Sequence, residues 1–151
     1  VLLARGAARV YAVDVGHGQL HPSIAADHRV IPLEKTDARY LDAAIISQPP
    51  QLLVCDASFI SLKRVLPRPL ELAAAGALLI ALIKPQFEAG REEVGKGGVV
   101  RDAAVHARVC ADVQGWIEQA GWAVKGLTES PITGPKGNVE FLVWAVKQRV
   151  S

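Results

Sequence analysis

Three ionisable residues stand where apolar runs end. Asp56 closes Leu52 to Cys55, Lys84 closes Ala77 to Ile83, and Glu140 is the second residue of the run from Val139 to Val146. A lysine brought between two carboxylates makes a strongly coupled electrostatic cluster, suited to handling a proton at a hydroxyl or holding the resulting oxyanion. Any one of these charges alone reads equally well as a solvated strand end; three at one edge argue for a site. Two further acids, Asp14 and Asp37, follow the short apolar runs Val10 to Val13 and Val30 to Leu33. In a dinucleotide-type fold, acids at these places accept hydrogen bonds from ribose hydroxyls and from an adenine amino group. The competing reading of both is a turn or helix cap.

Other motifs fail on inspection. Gly90-Arg-Glu-Glu-Val-Gly95-Lys96 has the spacing of a phosphate-binding P-loop, but Gly97 stands where the metal-coordinating Ser or Thr belongs, and no strand leads directly into it. Residues 86–101 read better as a mobile, glycine-rich lid whose Arg91, Lys96 and Arg101 could meet phosphates, although its three acids balance those three bases. His17, His21, His28 and His106 lack ligand spacing, so they are expected at the surface or flanking helices and no metal is expected. No G-x-S-x-G elbow supports a hydrolase. Cys55 and Cys110 lie far apart in unlike contexts, which indicates neither a disulfide framework nor a zinc site and fits a reducing cytoplasm.

The elements that must position these residues follow from periodicity. Val10 to Val13, Val30 to Leu33, Leu52 to Cys55 and Ala77 to Ile83 read as buried strands, the last two covered on both faces because they do not alternate. Helical stretches lie between them at Ala38 to Ile46, in a proline-punctuated pair from Ser61 to Ala75, and at Ala103 to Ala120. The last carries Asp102 as N-cap, the stripe Val105, Val109, Val113, Trp116 and Ile117, and Gly121 as its stop. Strands separated by helices predict a parallel α/β sheet. Trp122 to Leu127 and Val139 to Val146 are joined by a loop too short for a crossover helix, so the final strand should run antiparallel. The topology then brings Asp56, Lys84 and Glu140 to the carboxyl edge of the sheet, where open α/β sheets place their ligands.

Bulk properties agree with one domain. The chain has 151 residues, half of them apolar, and a net charge of +2, too weakly basic to bind nucleic acid by charge alone. The longest apolar candidate, Leu70 to Ile83, is interrupted by Glu71 and Gly76 and is too short to span a bilayer. The first residues read as the last turn of a helix ending at Gly6, so the chain is expected to begin within its domain.

The segments that carry this argument are Val-Cys-Asp-Ala-Ser-Phe-Ile-Ser-Leu (54–62), Leu-Ile-Lys-Pro-Gln-Phe-Glu-Ala-Gly-Arg-Glu-Glu-Val-Gly-Lys-Gly-Gly-Val-Val-Arg-Asp (82–102) and Glu-Ser-Pro-Ile-Thr-Gly-Pro-Lys-Gly-Asn-Val-Glu-Phe (129–141). Together with residues 12–21 and 34–39 they resemble the TlyA (hemolysin A) family of FtsJ-like RNA methyltransferases, from the first residue to about Val146. That family more often has Asn where Asp37 stands. The resemblance implies an α/β, Rossmann-like class I methyltransferase fold, a mostly parallel sheet with a C-terminal antiparallel strand, formed by residues 1–151 as one partial domain. It implies S-adenosylmethionine as cofactor, ribosomal RNA as partner, and transfer of a methyl group to a ribose 2′-hydroxyl. It further implies a Lys-Asp-Lys-Glu catalytic tetrad whose last three members match Asp56, Lys84 and Glu140, with Asp14, Asp37 and Asp56 on the cofactor side. The tetrad's first lysine, the first strand, the glycine-rich cofactor loop and an N-terminal S4-like RNA-binding domain have no counterpart in the sequence. Two other functions compete: a membrane-active hemolysin, and an α/β domain that binds RNA or cofactor without catalysis.

Overall fold

A computed structural model describes residues 1–16 and 18–149; His17 lies outside the described residues. Six strands and five α-helices follow in the order β1 (Val10–Val13), α1 (Pro22–Ala25), β2 (Val30–Leu33), β3 (Leu52–Cys55), α2 (Leu62–Val65), α3 (Pro67–Leu72), β4 (Leu78–Ile83), α4 (Pro85–Glu88), α5 (Ala103–Gln119), β5 (Trp122–Glu129) and β6 (Phe141–Lys147). They form two sheets. β1 and β2 pair in parallel by themselves, while the other four strands lie in the order β3-β4-β6-β5. β3 and β4 are parallel, and β6 runs antiparallel to both of its neighbours, as the short 131–138 connection requires. At the start of the chain, the Ala7 amide donates to the Leu2 carbonyl and the Gly6 amide to the Leu3 carbonyl, with Gly6 at φ 92°. These bonds close a helical turn in the expected place.

The main core sits on one face of the four-stranded sheet. Leu79, Ala81, Ile83, Val143 and Ala145 point inward and meet Val105, Val109, Val113 and Ile117 of α5, with Leu62, Leu66 and Leu70 from the α2–α3 pair. The helix begins where Asp102 accepts a hydrogen bond from the Ala104 amide and stops before Gly121, whose φ is 91°.

Two expectations need correction. Full cover of β3 and β4 does not occur: the opposite face is open, and Leu52, Val54, Leu78, Ile80 and Trp144 share it as exposed cross-strand neighbours, Val54 at 54%. An unbroken apolar run shows that both faces are apolar, but whether a second layer lies on them depends on other residues. β1 and β2 are likewise mostly half-buried, with Val30 buried and Pro32 exposed. The stretch Ala38 to Ile46 is not an α-helix. It is a 3₁₀ turn at Ala38–Tyr40 followed by a turn in which Asp42 Oδ1 accepts from the amides of Ala44 and Ile45. Such side-chain bonds to nearby amides compete with the helical ladder.

Candidate active site

β4 delivers Lys84 to the carboxyl edge, and Pro85 immediately turns the chain into α4. β3, parallel to β4 and beside it, delivers Asp56 to the same edge. Lys84 Nζ lies 2.5 Å from Asp56 Oδ1 and donates to Ser58 Oγ at 3.2 Å. The lysine side chain is 11% exposed and that of Asp56 is 68% exposed, so the stem is sheltered while its partner faces the open edge. Because Ile83 pairs with Phe141, the next residues outward on β4 and β6 are Lys84 and Glu140. Glu140 stands immediately before β6 rather than inside it, and it is buried.

Glu140 is held by Gln86, whose Nε2 donates to Glu140 Oε2 at 3.1 Å, and among the described residues it forms no ion pair with Lys84. Lys84 and Asp56 therefore touch, while Glu140 is placed next to Lys84 by strand register and is bonded to Gln86, two residues beyond Lys84. The other amide atom, Gln86 Oε1, is buried without a partner beside the cluster. Glu88 ties the two supporting loops together: its carboxylate accepts from Ser61 Oγ at 2.6 Å and from the Leu62 amide at 2.7 Å. The Phe59 and Phe87 rings meet at 5.0 Å, and Phe59 is 89% exposed in the left-handed region at φ 63°. A large apolar residue with that backbone is uncommon and strained. Ser58, Phe59, Gln86 and Glu88 were not singled out from the sequence; their nearness in sequence to Asp56 and Lys84 was the available signal.

The two acids of the smaller sheet differ in their freedom to bind a ligand. Asp14 follows β1 and is exposed. Its Oδ1 accepts from the Gly16 amide, and its backbone is interlocked with the end of β2 through Thr36 and Leu33. It borders a cavity of about 90 Å³ lined by Val13, Gln19, Leu20 and Glu34 among others. Asp37 instead caps the Ala38–Tyr40 turn, and both of its oxygens accept from the Arg39 guanidinium. That guanidinium holds the Asp37 carboxyl below the usual range. Burial, reinforced by the charge of Asp56, pushes the neighbouring Cys55 thiol up to about 11, so it stays a neutral thiol beside the cluster at neutral pH.

The family model described as FtsJ-like methyltransferase matches residues 1–147. The chain belongs to that family. The 16S/23S rRNA (cytidine-2′-O)-methyltransferase TlyA of Mycobacterium tuberculosis is 47% identical over 144 residues, covering 95% of this chain and 54% of that protein. A solved putative hemolysin from Streptococcus thermophilus superposes with a TM-score of 0.93 at 41% identity, covering 97% of this chain and 54% of that one. The chain thus spans about half the length of these two relatives. A putative S-adenosylmethionine-dependent methyltransferase from Listeria monocytogenes shares the fold at a TM-score of 0.68 and 14% identity, covering 97% of this chain and 84% of that one. The expected class I methyltransferase architecture is therefore met, with the antiparallel strand at β6.

Proposed function

We propose that this chain is the catalytic part of an S-adenosylmethionine-dependent methyltransferase that acts on the ribose 2′-hydroxyl of ribosomal RNA in the cytoplasm. The observation that carries the reading is the Lys84–Asp56 pair at the sheet edge beside Glu140. The name of the M. tuberculosis relative supports the substrate and the reaction.

The residues present fit the cofactor in part. Asp14 faces the cavity at the end of β1 and suits a ribose diol, but about 90 Å³ is far less than the roughly 300–1,000 Å³ of most ligand pockets. Asp37 meets an adenine amino group only by giving up its bonds from Arg39. When bound, the cofactor would supply an electrophilic methyl group carried on a sulfonium. The chain's own residues prepare the ribose oxygen. Lys84, positioned by Asp56 and Ser58, donates a hydrogen bond to the 2′-oxygen and stabilises the negative charge that develops as the hydroxyl proton passes to water at the open edge. Glu140, fixed by Gln86, adds a carboxylate to the same cluster and helps to orient the hydroxyl. A 2′-hydroxyl target selects RNA over DNA.

The test is transfer of a labelled methyl group to ribosomal RNA in a protein of the relatives' full length. Lys84→Ala should lower kcat by about a hundredfold to a thousandfold while leaving cofactor affinity nearly unchanged by calorimetry. Retained turnover sinks the catalytic role. Among the described residues, no helix is long and apolar enough to cross a membrane, so no structural observation favours the membrane-active reading carried by the hemolysin name.

A further inference from the structure

The glycine-rich segment after α4 is built into the molecule through Asn138, a buried polar residue. Asn138 Oδ1 accepts from the Val100 amide at 3.1 Å, and its Nδ2 donates to the Gly98 carbonyl at 3.0 Å and the Pro135 carbonyl at 3.2 Å. One amide group thus clasps the 90–101 loop to the 131–138 loop that leads into Glu140. The clasp sets Lys136 and Arg101 against the glycines on either side of Lys96. A β-carbon placed on Gly97 would lie 3.4 Å from Lys136 Nζ, and one on Gly95 would lie 3.2 Å from an Arg101 guanidinium nitrogen. Lys96 stands between those two glycines.

Two of the three acids of this segment are engaged elsewhere, and the third, Glu92, lies beside Gly90. Glu88 is occupied by Ser61 and Leu62, and Glu93 by Arg108 and the Gly90 amide. Among the described residues, Lys96, Arg101 and Lys136 have no ion-pair partner, whereas Arg29, Arg39, Arg68 and Arg108 each have one. Two of the three acids that balance the lid's bases in the sequence are thus held away from Lys96 and Arg101. Lys136 also holds φ at 57°, a left-handed conformation that favours Gly or Asn and costs a lysine free energy. Strain of this kind concentrates at sites that use it.

From this we infer that Lys96, Arg101 and Lys136 form a phosphate seat for single-stranded RNA, held by the Asn138 clasp next to Glu140. The inference rests on the methyltransferase reading for the identity of the polyanion. It assigns to these residues the strand flanking the target nucleotide, since phosphate contacts fix register and orientation while the cluster around Lys84 meets the reacting ribose.

The test is the salt dependence of binding of a fluorescent single-stranded RNA oligonucleotide to the unaltered protein and to the triple variant Lys96→Gln, Arg101→Gln, Lys136→Gln. All three side chains are exposed, and a thermal melt verifies that the variant keeps its fold. Removing one cation from a phosphate should reduce the slope of log affinity against log salt by about 0.7, so the triple variant should lose about 2. Lys125→Gln on β5 should leave the slope unchanged. An unchanged slope in the triple variant overturns the seat, and so does an equal loss with Lys125→Gln. Loss of polyglutamate binding with RNA binding intact would make it a site for acidic protein and also overturns it. If the unaltered protein does not bind RNA, or binds it and the triple variant matches it, the seat falls; the methyltransferase reading falls only if a protein of the relatives' full length transfers no methyl group to ribosomal RNA.

Discussion

Gly134 has no room for a methyl group. A β-carbon there would lie 2.3 Å from Glu140 Oε2, although its φ of −79° suits any residue. Gly134→Ala should therefore cost more in turnover than in stability. We expect methyl transfer to fall at least about tenfold through displacement of the carboxylate, with a shift of only a few degrees in Tm; unchanged turnover would show that the position of Glu140 is unimportant. Residue type alone made Asp56, Lys84 and Glu140 legible in the sequence, because charges are out of place at the ends of apolar runs. Gln86 and Ser58 gave no such signal, since amides and hydroxyls are ordinary in loops, and their partners depend on how α4 leaves β4. Capture of Asp37 by Arg39, two residues along, appears only once the 3₁₀ turn brings them together.

At the scale of elements, α5 was legible end to end, because a cap, a 3.6-residue apolar period and a terminal glycine are all local. Its start rests on Asp102, so Asp102→Ala should destabilise the protein by about 1 kcal/mol, with Asp102→Ser recovering most of the loss. Urea unfolding measures both; equal losses for the two variants would refute the cap. The strands were placed correctly, but their cover was not. The sequence of β4 is apolar on both faces, and the structure lays α5 and the α2–α3 pair on one of them, leaving Ile80 and Trp144 as exposed neighbours. The sequence identifies which residues avoid water; the three-dimensional arrangement decides how many of them succeed.

Across the whole molecule, the apolar core gathers under the four-stranded sheet, while Val30, Leu41 and Ile46 are buried outside that cluster. Links between the halves include the hydrogen bond from Arg68 Nε to the Leu41 carbonyl at 2.9 Å. Amide hydrogen exchange should therefore separate two levels of protection: β4 and β6 opening with the free energy of global unfolding, and β1 and β2 opening at distinctly lower free energy. Equal values would show a single cooperative unit.

Among the described residues, the sheet edges of β1 and β3 make no ladder with each other. Asp14 stands at the end of one and Asp56 at the end of the other, so the acid proposed for the cofactor and the cluster proposed for catalysis are fixed to different frames. The spacing between the two acids is then set by the loops and side chains that join the sheets rather than by strand pairing. Anything that bridges the two frames, whether a strand inserted between them or a ligand grasped by both, would serve as a splint and set the distance between Asp14 and Asp56.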